Sequence, residues 1–326
     1  MFYNIISKLF SSPMQIFSMK PPFILRDVLE FFNISKIEIL DIGAMLEGDP
    51  RYIALLDQEM VNVTGFEPNP QELEKLNRHQ NDNQKWLPDF LGNGEVATVY
   101  LTRYPGCSSL YEPDPEIIDR FLTIGTSNSR GNFGVIDRKT VQTKKLNEIL
   151  TCPRADYIKI DVQGSELDIL RNGLEKCSDA LVIETEAEFI PVYKDQPLFG
   201  DIQIFMREIG FSFHKFINIT GRSIMPFRTE NIFSTISQAL WADAIFVRDF
   251  PNFNSYSNEQ LIKGAIILHD IYLSYDLANL MLAKLDARQN TVFAQIYQKK
   301  MGSANSPQLF YMNLNEETPT PTTGNN

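Results

Sequence analysis

The sequence predicts an α/β fold wound around a parallel sheet, on three observations. Short apolar runs alternate with helical stretches through the first two-thirds of the chain. One run, Ile37-Glu38-Ile39-Leu40-Asp41-Ile42-Gly43-Ala44, ends in an acid and a glycine. Some twenty residues on, Val63-Thr64-Gly65-Phe66-Glu67-Pro68-Asn69 ends in a second acid. Strands separated by helices run parallel, because a right-handed crossover brings the chain back beside the strand it left. Two such strand ends are the form of a nucleoside site at the carboxyl edge of the sheet. The glycine lets backbone come close to the ligand, and Glu67 can accept both ribose hydroxyls.

The elements follow in order. Residues 26–32 read as a helix ahead of a first strand at 37–40. Residues 51–60 place Ile53, Leu55 and Leu56 on a helix face, and 61–66 is the second strand. A helix opens at Pro70, with acids near its positive end, and a third strand covers 85–90. From 92 to 154 the pattern changes. Residues 94–101 alternate like an exposed strand, 135–143 are their expected partner, and a Pro/Gly/Ser/Asn-rich loop, 104–134, lies between them. Strand four is 156–161, followed by a helix at 165–174; strand five is 180–186. A helix at 199–209 stops at Gly210, and strands at 211–219 and 242–248 can pair antiparallel at one edge.

These elements divide the chain into an N-terminal helical segment (1–34), a central domain (35–250) and a C-terminal helical extension (251–312). The insertion at 92–154 is the expected cover for a second substrate, and the tail 313–326 is expected to be disordered. Leu261, Ala265, Leu268, Leu277, Leu280 and Leu285 mark one or two amphipathic helices over 258–298. They pack on the domain or on a second copy, as in a homodimer.

Bulk properties exclude several classes. At 326 residues, 43% apolar and 22% charged, this is an ordinary globular composition with room for a large core. A net charge of −11 argues against a non-specific nucleic-acid binder. Cys107, Cys152 and Cys177 form no metal-type or disulfide-type spacing, which points to a reducing, cytoplasmic setting. The first ten residues are mildly apolar, but Lys8 interrupts them, so they read as a mature amphipathic segment rather than a signal peptide. No run reaches the ~18 apolar residues of a spanning helix.

The loop after strand one narrows the ligand. Asp41-Ile42-Gly43-Ala44-Met45-Leu46-Glu47-Gly48-Asp49 lacks the glycine spacing of a dinucleotide loop and the Lys-Ser of a P-loop. It sets Glu47 and Asp49 where a phosphate would dock. S-adenosylmethionine carries no phosphate and a positive sulfonium, and suits such a loop better. A nicotinamide oxidoreductase is the weaker enzyme alternative; a non-catalytic binding protein on the same fold is the other.

At this point the chain resembles the FkbM family of S-adenosylmethionine-dependent methyltransferases, mostly O-methyltransferases. The resemblance rests on Asp41-Ile42-Gly43-Ala44, Phe66-Glu67-Pro68-Asn69, Ser108-Ser109-Leu110-Tyr111 and Ile158-Lys159-Ile160-Asp161-Val162-Gln163-Gly164-Ser165-Glu166. Val182-Ile183-Glu184-Thr185-Glu186 and Trp241-Ala242-Asp243-Ala244-Ile245-Phe246-Val247-Arg248 extend it over about two-thirds of the chain. It departs at Glu47, where a glycine is usual, and at Lys145-Leu146-Asn147, where Thr-Leu-Asp is common.

The resemblance implies a class I methyltransferase fold: a Rossmann-like, doubly wound sheet of seven strands, order 3-2-1-4-5-7-6, the last antiparallel. It implies S-adenosylmethionine as cofactor and a small-molecule or glycan acceptor, such as a sugar or secondary metabolite. Asp41, Gly43, Ala44, Glu67, Pro68, Asn69, Asp89, Phe90 and Asp161 are the expected cofactor contacts, with Gly43 and Ala44 at the methionine end and Asp89 and Phe90 at the adenine. Asp161 and Glu184 are the expected catalytic acids, aligning the substrates or acting as base. Glu184 and Glu186 share a strand face and with Asp161 could gather around an acceptor hydroxyl or, as the lesser alternative, a divalent cation. No resident metal is expected, and His79, His214 and His269 are too scattered to make a site.

Overall fold

The computed structural model describes residues 25–45, 48–127 and 131–303. A short helix α1 (Arg26–Phe32) leads into β1 (Ile37–Ile42), which pairs in parallel with β2 (Val61–Phe66), Ile37 against Val61 and Ile42 against Phe66. The helix between them, α2 (Ile53–Asp57), is shorter than its periodicity suggests: Pro50 lies just ahead of it and Glu59, at φ +56°, turns the chain out of it. Helix α3 (Pro70–Arg78) opens on Asn69, whose side chain accepts the Gln71 N–H. β3 (Gln84–Leu87) stops before Pro88, three residues short of the expected end, because proline has no N–H for the ladder.

The insertion stands apart from the main sheet. β4 (Val96–Thr102) and β5 (Val135–Gln142) form a separate antiparallel pair. The stretch between them is not structureless. A helical turn α4 (Pro115–Ile118) and the residues after it bring Ile118, Phe121, Ile124 and Phe133 together with Val192, Tyr193 and Leu240 in a small core of their own.

The chain then completes the sheet with β6 (Tyr157–Ile160), α5 (Glu166–Arg171), β7 (Val182–Glu188), α6 (Phe199–Glu208), β8 (Phe211–Gly221) and β9 (Ala239–Arg248). The order is β3-β2-β1-β6-β7-β9-β8. It differs from the expected 3-2-1-4-5-7-6 in chain numbering because β4 and β5 lie outside the sheet and are passed over. β9 runs antiparallel to both neighbours. The order reverses between β1 and β6, which opens a crevice at their carboxyl ends.

Strand alternation gives the sheet two apolar faces. Leu40, Ile42, Ile158, Ile160 and Ile183 meet Leu167 and Leu170 of α5 and Ile202 and Met206 of α6. Ile37, Ile39, Val61, Val63 and Val182 meet the C-terminal helices. These are α7 (Asn258–Ile266), a π turn at Ile267–Ile271, α8 (Tyr275–Gln289) and α9 (Phe293–Ser303). The single periodic stretch is broken because Leu273 and Asn290 take left-handed backbone, at φ +54° and +55°. A salt bridge of 2.9 Å from Lys263 to Asp156 fastens α7 to the sheet, and the same Asp156 oxygen accepts the Glu38 N–H. Apart from Leu280, which is 42% exposed, the apolar stripe of the extension thus packs on its own sheet. Among the described residues no helix is long and apolar enough to cross a membrane. The proposed tail at 313–326 and most of the N-terminal segment lie outside the described residues.

Leu285, fully buried between α8 and that face, should lose about 2–5 kcal/mol of unfolding free energy when replaced by alanine. Guanidinium denaturation measures it; a shift under ~0.5 kcal/mol would mean the extension folds independently of the sheet.

Candidate functional site

A cavity of about 930 Å³ opens at the carboxyl ends of β1, β2 and β6 and extends to β7 and β9, beneath the insertion. Its floor is set by close backbone packing. The Gly43 and Ala44 N–H groups both donate to the Phe66 carbonyl, and the Asp161 N–H donates to the Ile42 carbonyl. Gly43 sits at φ +81°, and a Cβ there would lie 1.8 Å from the Asp161 carbonyl oxygen. Only glycine fits.

At the β2 end, Glu67 is buried, lines the cavity, and accepts the Asn69 N–H at 2.7 Å. Burial pushes its carboxyl up to about 7. Pro68, Asn69, Asp89 and Phe90 line the same region, with Asp89 held by Lys144. Gly43 reaches the cavity; Ala44 is buried beside it without lining it. Glu47, the unusual loop residue, lies outside the described residues.

At the β6 end, Asp161 meets partners that the sequence pattern did not single out. Gln163, at φ +61°, donates from Nε2 to Asp161 Oδ1 at 3.0 Å and to a Glu186 carboxylate oxygen. Its own Oε1 accepts from Tyr193 Oη at 3.0 Å, and its carbonyl from Ser109 Oγ. A non-glycine residue in left-handed backbone is strained, and here four partners hold it. Glu166 folds back from the first turn of α5 to accept the Val162 and Gly164 N–H groups, closing this turn. Burial raises Glu186 well above the carboxylate range, and the neighbouring Asp161 charge raises it further.

Two expected residues are elsewhere. Asp41 lines no part of the cavity; it accepts from Tyr52 Oη at 2.6 Å and pairs with Lys159 at 3.4 Å. On β1 it shares the face of Ile37 and Ile39, toward the C-terminal helices, by simple alternation. Glu184 is also committed below the cavity, 2% exposed, accepting from Tyr157 Oη (3.0 Å), Tyr272 Oη (2.6 Å) and Arg51 Nε (3.1 Å). Those donors hold it in the body of the sheet. Glu186 and Glu188, one and two pleats further along the same face, are the strand-β7 acids that reach the cavity. Among the described residues no group of three or more histidines, cysteines or acids is arranged to hold a metal.

The residues that build this floor fall within a stretch, 41–213, that matches the Methyltransferase FkbM domain and spans just over half of the chain. The chain belongs to the FkbM methyltransferase family. Several solved structures are also similar, at low identity. Magnesium protoporphyrin IX methyltransferase from Synechocystis PCC 6803, with S-adenosylmethionine bound, is 13% identical over 69% of this chain and 76% of its own, at a TM-score of 0.33. Precorrin-6y C5,15-methyltransferase from Geobacter metallireducens GS-15 is 13% identical over 69% of this chain and 88% of its own, at 0.32. No curated protein matches the chain significantly.

In this FkbM methyltransferase the Gly43 contact is the least replaceable. Gly43→Ala should destabilise the fold by at least ~1–2 kcal/mol from its backbone angle alone, with the clash added. A denaturation midpoint equal to wild type would show that the ends of β1 and β6 separate freely.

Proposed function

We propose that this methyltransferase transfers the methyl group of S-adenosylmethionine to a hydroxyl oxygen of a small-molecule or glycan acceptor, on a class I methyltransferase sheet. The observation that carries this reading is one cavity with Glu67 at a nucleoside end and Asp161 and Glu186 at an acidic end, the two joined at Gly43.

The donor set fits that cofactor. Glu67 presents a buried carboxyl with one backbone donor on it, free to accept a pair of ribose hydroxyls. Phe90 and Asp89 border the space beside it for an adenine. Asp161 supplies negative charge for a cationic sulfur, which when bound carries the activated methyl group, and Gln163 ties Glu186 beside it. The cavity lining holds more acids than bases in this region, as a cationic ligand without phosphate requires.

The chain's own part is alignment and proton handling. Gln163 bridges Asp161 and Glu186, so the two carboxyls share one amide and are held at fixed separation. A carboxyl whose proton affinity is raised by burial is a better base than an exposed one. The pair is suited to accept the proton that an acceptor hydroxyl gives up as its oxygen is methylated. Glu186 thereby takes the role that strand pattern gave to Glu184. The inserted hairpin and its small core cover the cavity and exclude water.

Calorimetric titration with S-adenosylmethionine should show binding that weakens about ten-fold or more in Glu67→Ala. Affinity should also fall as pH drops below about 7, because Glu67 accepts ribose hydroxyls best as the carboxylate and its proton is bound below that point. Absence of binding by wild type, or unchanged binding by Glu67→Ala, would overturn the reading. For turnover, S-adenosylhomocysteine release is screened against glycan, lipid and small-molecule pools. With an acceptor found, Asp161→Asn and Glu186→Gln should each lower kcat by about 10²–10⁴-fold; near-normal turnover in both would remove the carboxyl pair from the chemistry.

A further inference from the structure

The cavity continues past Asp161 and Glu186 to a region between β7 and β9. There Glu188 stands directly opposite Trp241 in the antiparallel register, and both line the cavity. Glu188 is 2% exposed, and its Oε2 has no hydrogen-bond partner. Leaving a buried carboxyl oxygen unpaired is unfavourable, so such an atom at a cavity wall points to a group that arrives with the ligand. The Gln196 amide lies beside Glu188 without satisfying it: Gln196 Nε2 is also unpartnered, and its Oε1 accepts the Tyr193 N–H. The guanidinium of Arg222 lies 5.9 Å from the Trp241 ring centre and also lines the cavity. It is held there by Thr123 Oγ1 and the Gly221 carbonyl.

Resting on the reading of hydroxyl methylation, we propose that this end is a subsite for a neutral polyhydroxylated ring, in which a ring hydroxyl exchanges a hydrogen bond with Glu188 Oε2 and the ring's C–H face lies on Trp241. Glu188 is a positioning residue here, not a catalytic one. Burial, and then the charge of Glu166, raise the Glu188 carboxyl well above its ordinary range, so it offers O–H and C=O rather than a fixed charge. That chemistry suits hydroxyls, which both donate and accept, over an ammonium group. Spacing supports a ring. Glu186 and Glu188 are alternate residues of one strand, ~6.7 Å apart along it, a span that one six-membered ring with its hydroxyls bridges. A hydroxyl at one edge of the ring would then face the Asp161–Glu186 pair while another is anchored at Glu188.

The probe is methyl α-glucopyranoside, added to the full chain with and without saturating S-adenosylhomocysteine. Saturation-transfer NMR reads its ring protons and calorimetry its affinity. Wild type should bind it, Glu188→Ala and Trp241→Ala should weaken binding by about ten-fold or more, and Glu188→Gln should retain most of it. Each variant should keep wild-type affinity for S-adenosylhomocysteine, which shows that it is folded. The subsite is overturned if wild type gives no transfer to the glucoside, or if cyclohexylmethanol or glucosamine binds better. It is equally overturned if Glu188→Ala binds like wild type, the result expected were Glu188 merely a partner for Gln196. Loss of S-adenosylhomocysteine binding by wild type would instead strike the methyltransferase reading, and the titration without it still decides the subsite.

Discussion

The approach of Gly43 to the Asp161 carbonyl is the contact on which the rest of the site depends. It draws the carboxyl end of β1 against that of β6 more closely than any side chain would allow. The adjoining N–H groups complete the joint, to Phe66 on β2 and from Asp161 to Ile42. Three strand ends are therefore tied at one point where the strand order reverses. Glu67 and Asp161, which follow those ends, face a common cavity because their strands have no freedom to diverge.

Around that joint the acids divide into two groups by depth. Asp41, Asp156, Glu184 and Asp243 lie within the body of the sheet and are each met by a cation: Lys159, Lys263, and Arg51 for the last two. Their charges are spent on holding strands and helices in place. Removing a partner from such a pair strands a buried charge. Glu67, Asp161, Glu186 and Glu188 stand one level higher, at the cavity, with amides or backbone N–H groups or, at Glu188 Oε2, no hydrogen-bond partner. The difference between framework and site is thus a difference of one pleat along the strand.

That single pleat explains what could and could not be read from the chain. The strands, and the placing of Gly43 and Glu67 at their ends, were legible because apolar runs ending in glycine or acid have few structural meanings; the strand order came only with the family resemblance. Asp41 was legible as a strand end but not as a face: the run Ile37 to Ile42 is apolar on both sides, so alternation does not say which side opens to a ligand. Glu184 and Glu186 share a face, and only the three-dimensional height of the cavity separates them. Gln163 carries no signal beyond its place in a familiar run; its role follows from left-handed backbone, which the residue type does not advertise. The pairing of Glu188 with Trp241 joins residues more than fifty positions apart, across an antiparallel edge whose register no local pattern fixes. The insertion's small core was hidden for a similar reason, its apolar residues being scattered among turn-formers and completed by Val192, Tyr193 and Leu240.

Tyr272, which closes the π turn of the C-terminal extension, donates a hydrogen bond to Glu184 in the centre of the sheet. The last helices also supply most of the cover for one sheet face. During synthesis on the ribosome every strand of the sheet emerges before either is available. Until then Glu184 lacks one of its three donors and Ile37, Ile39, Val61 and Val63 have no helical roof. The nascent enzyme must therefore pass through a long interval with an open apolar face, the kind of surface that chaperones hold. Pairing of β1 with β6 already joins residues more than a hundred positions apart, and covering of this face waits further for the C-terminal helices.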